Sequence, residues 1–421
     1  MRQSHLFSKT RREAPADETA KNGKLLVRAG FVRKALAGAY EYLPLGLRVL
    51  ENARKIIREE MVAAGGQEVS LTALQDPELW KQTNRWDDAV VDNWFKTKLA
   101  SGGELGLGLS HEEPLVVLMK EHISSHRDLP CSVFQFQTKF RNELRAKSGL
   151  LRGREFPMKD CYSFARSEAE HRELYERFAA AYVKIFNRAG IGAKTVRAVA
   201  AGGIFCDGFS DEFLTECEAG EDTVLVSADG KFAINEGVAT EENLAELKVS
   251  RDDLSPKRCV EVGNIFSLGT KYSVPLGLSF NDEAGERQPV IMGCYGIGVS
   301  RLLGTVVEAL GTDSAMVWPK ELAPYRVHIV QLGVEETVAA AASDLYDDLA
   351  ERGVEALLDD RDLAAGAKLA DADLIGCPVR VVVGARSLAA GECELTDRTS
   401  GAAAKNVALG AAAAAAAALA A

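Results

Sequence analysis

Beyond Pro319–Pro324 the chain settles into an alternation that few folds accommodate. Val327-His328-Ile329-Val330-Gln331-Leu332 reads as a strand, Val338 to Ala350 as a helix and Val354 to Leu358 as a second strand. Lys368 to Ile375 is then a helix and Val379 to Val383 a third strand. Strands that alternate with helices pair in parallel, because each crossover helix returns the chain to the same end of the sheet. A small α/β domain is therefore expected at 324–410, after a first domain at 1–320. The tail at 411–421 is almost pure alanine, the best helix former, and is read as a terminal helix or a frayed, compositionally biased end, with no function assigned.

Upstream the pattern is different. Leu47, Leu50, Ile57 and Met61 recur at helical spacing until Gly65-Gly66 stops them. Glu68 to Leu74 reads as a strand, and Glu168 to Ala189 as an amphipathic helix closed by Gly190. Pro289 to Met292 reads as a strand entering a glycine-rich turn, Gly293 to Gly298, with a helix from Leu302 to Leu310. Composition then excludes several classes. No run of 18 apolar residues exists, so no membrane-spanning helix is expected. Met1-Arg2-Gln3-Ser4-His5 lacks the apolar core of a signal peptide. Fifty Lys+Arg against 61 Asp+Glu give a net charge of -11, which confines any nucleic-acid contact to a local basic face. None of the eight cysteines falls in a C-x-x-C pair, which points to reduced thiols in a cytoplasm and to no zinc site.

Four segments carry chemistry. The stretch from Phe140 to Asp160 has two apolar ends joined by a basic Ser-Gly loop. Such a hairpin aims Arg141, Arg152 and the loop cations Arg145 and Lys147 at one place, as phosphate oxygens require, although a solvated basic hairpin has the same pattern. Gly293-Cys294-Tyr295-Gly296-Ile297-Gly298-Val299-Ser300-Arg301 lets backbone approach a ligand and puts Arg301 on the first turn of a helix, where a phosphate is favoured. A tight turn with a surface arginine is the simpler alternative. Leu109-Ser110-His111-Glu112-Glu113 offers a hydroxyl and carboxylates to an ammonium group. It also fits a capping box, Ser110 with Glu113, and His111 reads as a packing or solvent-facing residue. Val260 to Phe266 alternates as a strand, with Glu261, Gly263 and Ile265 on one face and Val262, Asn264 and Phe266 on the other.

Together these residues resemble the class II aminoacyl-tRNA synthetases. Phe140-Arg141-Asn142-Glu143 through Arg152 to Phe156 is similar to motif 2, Gly296 to Arg301 to motif 3, and the helix before Gly65 to motif 1, the dimer motif. Ser110-His111-Glu112 resembles the T-x-E loop. Gly293 to Gly298, Glu261 to Ser273 and Arg154 to Asp160 resemble the bacterial prolyl-tRNA synthetases, in the same order and nearly end to end.

The resemblance implies an antiparallel catalytic sheet flanked by helices, with a C-terminal mixed α/β anticodon-binding domain. It implies that proline and ATP give prolyl-adenylate and pyrophosphate, and that the prolyl group then passes to the 3′ end of tRNA(Pro). Arg141 would bridge the proline carboxylate and the α-phosphate, and Arg152 and Arg301 would hold the outer phosphates with Mg²⁺. Glu143 and Phe156 would hold adenine, Gly296 and Gly298 would back the nucleotide, and Glu261 and Asn264 would face the ribose or the metal ion. Ser110 and Glu112 would take the imino group, while Met158, Phe213 and Cys294 would line the ring pocket. Asp360, Arg361 and Lys368 would touch the anticodon, with surface salt bridges as the alternative. Ser110 stands where the family usually has Thr, Asn264 where many members have His, and Asp211 replaces His before Glu212-Phe213. The catalytic landmarks fill most of the chain between Asp160 and Gly293, so no inserted editing domain is expected, and a separate deacylase would clear alanyl-tRNA(Pro). A homodimer in the cytoplasm is implied. The competing reading is a catalytically silent paralogue that binds tRNA, but such a protein would be expected to lose the three arginines.

Overall fold

The computed structural model describes residues 1–144, 146, 148–206 and 208–421. Two compact units result: residues 36–40 with 54–305, and residues 1–35, 41–53 and 306–421.

The first unit is built on an antiparallel sheet. Glu155–Ala165 pairs on one side with Cys131–Phe140, from Cys131 opposite Phe164 to Phe140 opposite Glu155. On its other side lies Ile291–Gly298, followed across the sheet by Leu254–Gly269, Phe209–Glu216 and Thr195–Ala201. The hairpin expected from Phe140 to Asp160 is thus two strands joined by a loop; the loop cations Arg145 and Lys147 lie outside the described residues.

The helix Glu168–Arg188 decides which side chains face which way. Ser167 caps it by accepting from the Glu170 N–H at 3.2 Å, and Gly190 closes it at φ 77°. Leu174, Phe178, Tyr182 and Ile185 recur every three or four residues and are buried against the sheet. Phe178 lies 4.6 Å from the Tyr295 ring, and Lys159 donates to the Tyr182 hydroxyl at 2.6 Å. Because strand side chains alternate, Met158, Glu212, Cys294 and Gly296 point to the opposite face.

Two expectations need correction. The expected 68–74 strand is not continuous: Gln67–Glu68 pairs in parallel with Val133 and Phe134. Side chains then replace the ladder: the Leu71 N–H donates to Gln135 Oε1 at 3.1 Å, and Gln137 Nε2 donates to the Leu71 carbonyl. Leu74–Gln75 joins Glu104–Leu107 and Lys96–Lys98 in a separate small sheet. The glycines from Gly293 to Gly298 form no turn but lie in a strand, Gly293 and Gly296 paired on both sides and Gly298, at its end, with Met158 alone. Close neighbours explain them: a Cβ on Gly293 would meet the Tyr295 hydroxyl at 2.6 Å, and one on Gly296 the Asn264 Oδ1 at 2.9 Å.

In the second unit Val327–Leu332 lies between Ala356–Asp359 and Val379–Gly384, parallel to both. Glu392–Asp397 and Lys405–Ala408 extend the sheet antiparallel. The alanine tail is the helix Leu409–Ala420, and it is core: Ala412, Ala413, Ala416 and Ala420 pack with Val379, Val381 and Leu345. Small side chains let this helix lie close to the sheet. Ala416 is fully buried and Ala414 exposed. Ala416→Leu should therefore cost ~1–3 kcal/mol by overpacking, whereas Ala414→Leu should be neutral, as read by urea unfolding.

Candidate active site

On the sheet face away from the helix Glu168–Arg188 a cleft of about 580 Å³ opens. Arg141, Glu143, Arg152, Phe156 and Met158 reach it from the hairpin, Glu261 and Asn264 from the next strand but one, and Gly296, Gly298 and Arg301 from the strand between and its following helix. Arg141 stacks its guanidinium 5.5 Å over the Phe156 ring. Among the described residues no carboxylate bonds to it. Burial, and then the charge of Arg301, work against its charged form, so an anion arriving there meets an uncommitted cation. Arg152 is shared between Glu143 at 3.3 Å and Glu221 at 3.1 Å.

A β-bulge assembles the acidic side. Leu214 pairs with Glu261 but Phe213 with Gly263, so Val262 is the extra residue. The bulge brings Glu261 and Asn264 together, and Asn264 Nδ2 donates to Glu261 Oε1 at 2.6 Å. The alternation expected from sequence had put them on opposite faces. Arg301 NH1 donates to Glu261 Oε2 at 2.6 Å, and its Nε to the Leu151 carbonyl at 2.9 Å. Although burial opposes it, Arg301 holds the Glu261 carboxyl below the usual range. Glu212 stands opposite Asn264 and was missed in the sequence; burial and the Glu261 charge push its carboxyl up to about 7.

The same face continues into a buried end. Ser110 does not cap the helix Glu112–Lys120, whose first residue follows His111; against the effect of burial, Arg85 and then the Ser110 hydroxyl hold the Glu112 carboxyl below its usual range. Cys294 Sγ donates to Glu112 Oε1 at 3.5 Å. Arg85, which no sequence signal marked, lies 3.1 Å from Glu112 and 3.1 Å from Glu113, all three buried. Phe213 is corrected to the opposite face of the sheet, where its ring lies 5.2 Å from Tyr182 and 5.5 Å from Phe186. Asp211 turns the same way, accepting from the Tyr175 hydroxyl at 2.9 Å.

Beneath this end sits a second polar network. Asp160 Oδ2 accepts from Lys139 at 2.8 Å, Gln135 at 2.9 Å and the Tyr162 hydroxyl at 3.0 Å. Lys139 also donates to His111 Nδ1, which leaves Nε2–H to donate to the Thr72 carbonyl at 3.0 Å. His111 is thus a neutral internal tie. Burial, and then Lys139, hold it down to about 4.

The anticodon candidates are tied within their own unit. Asp360 accepts from Ser4 N and Oγ at 3.0 and 2.8 Å, and Arg361 pairs with Asp359 and Asp371 at 2.7 and 2.9 Å. Lys368 is corrected to a buried strut: it is 1% exposed and donates to the Gln331 carbonyl at 2.6 Å.

The His111 geometry sets a pH dependence. Below its usual value of 6.5 the unfolded chain takes up a proton there that the folded chain refuses until about 4. Stability should fall as pH drops through that window, by as much as ~3 kcal/mol from this group. In His111→Gln, urea unfolding compared at about pH 7 and about pH 4.5 should show a smaller loss than the parent.

Comparison with known proteins agrees with this geometry. Residues 95–310 match the family described as tRNA synthetase class II core domain (G, H, P, S and T), and residues 326–418 the anticodon binding domain. A proline–tRNA ligase of Zymomonas mobilis is 38% identical over 425 residues, covering 95% of each chain. One of Desulfitobacterium hafniense is 34% identical over 552 residues, covering 95% of this chain and 96% of that one, so it carries a long segment that this chain lacks. Among solved structures, Giardia lamblia prolyl-tRNA synthetase in complex with prolyl-adenylate shares the fold at TM-score 0.76 and 18% identity, over 92% of this chain and 74% of that one. Identity of 38% along 95% of its length, on a class II core followed by an anticodon-binding domain, places the chain in the prolyl-tRNA synthetases, the ligases that join proline to tRNA.

Proposed function

We propose that the cleft holds ATP, that its buried end holds proline, and that Arg141 joins the two. The observation that carries this is Arg141 itself, a half-buried cation that no carboxylate engages among the described residues, backed by an aromatic ring. It would bridge the proline carboxylate and the α-phosphate, stabilising the charge that develops as the carboxylate oxygen attacks phosphorus and pyrophosphate leaves. Arg152 and Arg301 would take the outer phosphates. Glu143 and Phe156 would hold adenine, and Gly296 and Gly298 give the nucleotide room. Ser110 and Glu112 would accept from the imino group, with Met158 and Cys294 against the ring. Three phosphate-directed arginines in one cleft support an active enzyme over a silent paralogue.

Mg²⁺ fits the donor chemistry here. Glu261, with Glu212 close enough to feel its charge, supplies hard carboxylate oxygens, and Mg²⁺ on a nucleotide needs only one or two of these beside the phosphates. When bound it would neutralise phosphate charge. We further propose catalytic and anticodon-binding domains at 1–320 and 324–410, a homodimer through the motif 1 helix, and a cytoplasmic location. No helix among the described residues is long and apolar enough to cross a membrane.

The segment that this chain lacks suggests no editing of its own. A missing methylene is worth only ~1–3 kcal/mol in binding, so alanine should be activated detectably and a separate deacylase should be needed. Amino-acid-dependent ATP–pyrophosphate exchange tests these points. Proline should support exchange, Arg141→Ala should lower it ~10²–10³-fold, and alanine should give a weaker signal at high concentration. Exchange with no amino acid, or full activity in Arg141→Ala, would overturn the assignment.

A further inference from the structure

The direct ion pairs around Glu112 do not balance. Two carboxylates, Glu112 and Glu113, face one cation: Arg85 NH1 lies 3.1 Å from Glu112 Oε2 and 3.1 Å from both oxygens of Glu113. All three side chains are 3% exposed or less. The guanidinium lies 4.9 Å from the Trp80 ring and 5.3 Å from those of Phe205 and Tyr272, rings that favour a cation but add no full charge. Its Nε and NH2 have no hydrogen-bond partner among the described residues, and neither has the Tyr272 hydroxyl.

Among the described residues no second cation bonds to either carboxylate; Lys139 and Arg141 feel the Glu112 charge without bonding to it. Thr83 Oγ1 donates to Glu113 Oε1 at 2.7 Å but is neutral. On the adjoining helix Pro77–Gln82, Glu78 and Lys81 are exposed and pair with each other at 2.6 Å. Lys139 is committed to Asp160 at 2.8 Å and to His111, itself neutral. In a dry site, two carboxylates and one cation leave one carboxyl holding its proton.

We infer that Arg85 and Glu113 are positioning residues for proline: Arg85 orients Glu112 toward the substrate's secondary ammonium, and Glu113 releases its proton when that ammonium arrives as the second cation. This rests on Glu112 being the imino-group ligand. The proton leaves the Glu113 carboxyl for the buffer, and no bond to proline forms or breaks. Burial, with Glu112 beside it, pushes Glu113 up to about 7, and Arg85 alone does not offset this. Proline lowers that value, so its affinity rises as pH climbs toward 7 and levels off above.

The test is calorimetry of proline binding to the full-length enzyme near pH ~6.5, in buffers of differing ionisation enthalpy, alongside exchange kinetics. The parent should release a fraction of a proton per proline bound. Glu113→Gln, which keeps the shape and the Thr83 contact, should release none, and its KM for proline should stay flat between pH ~6 and ~7.5. Arg85→Lys should raise the KM for proline about tenfold with the KM for ATP unchanged. Undiminished proton release in Glu113→Gln, or a parallel rise of both KM values in Arg85→Lys, overturns the inference. If Arg85→Lys does not fold, the Glu113→Gln calorimetry decides alone. Glu112→Gln separates the two levels. An unchanged proline KM in Glu112→Gln means that the assignment of Glu112 itself is wrong. A raised one, with Arg85→Lys and Glu113→Gln matching the parent, means that only this inference is.

Discussion

The strand Glu155–Ala165 is the constraint on which the catalytic unit depends. It is paired along both edges, and its alternation sorts the chemistry: Lys159 goes to the helix Glu168–Arg188, while Phe156 and Met158 go to the cleft and Asp160 to the network beneath. Burying Lys159 and Asp160 side by side in sequence is tolerable only because each finds partners on its own face. Lys159 donates to the Tyr182 hydroxyl and to the Tyr295 carbonyl at 3.0 Å; Asp160 accepts from Lys139. A one-residue slip would leave both charges unpaired in a dry interior, so the register is specified electrostatically as well as by packing.

The site is graded in polarity along this face. At the open end arginines and carboxylates alternate around the cleft, with Arg301 tied to Glu261 and Arg152 to Glu143. These ties hold the cations in place without committing Arg141. At the buried end the carboxylates of Glu112 and Glu113 are held by one arginine inside a cage of rings. A polyphosphate suits the first environment and a small cation with an apolar body suits the second. Proline, as proposed above, would put its secondary ammonium in the second environment and turn its carboxylate toward Arg141.

Packing partners explain where several residues that look functional in sequence are engaged instead. Phe213 lies in a conspicuous stretch, yet it belongs to the Tyr182–Phe186 cluster on the other face. Lys368 and Arg361 sit in a segment with the pattern of a tRNA contact, but they brace the Asp359 region from within. The alanine tail, unremarkable as composition, is a helix whose small residues complete the core of the α/β unit.

Much was legible from residues alone. The basic hairpin, Arg301 on a first helical turn, the Ser110–Glu112 loop and the α/β alternation after Pro324 are local signals, because each depends on spacing within one or two elements. What the tertiary structure decided depends on contacts between distant segments. The bulge at Val262 brings Glu261 to Asn264 against the expected alternation, and it becomes visible only in the pairing with Phe213 and Leu214. Arg85 reaches Glu112 and Glu113 from nearly thirty positions away, a charge pairing that spacing does not encode. Gly293 and Gly296, read as a turn, are strand, because only the neighbours across the sheet show why no Cβ fits there. Sequence determined which chemical groups were available, since composition and local period do not depend on the partner. Tertiary structure determined which of them meet, since face and register are set by pairing and burial.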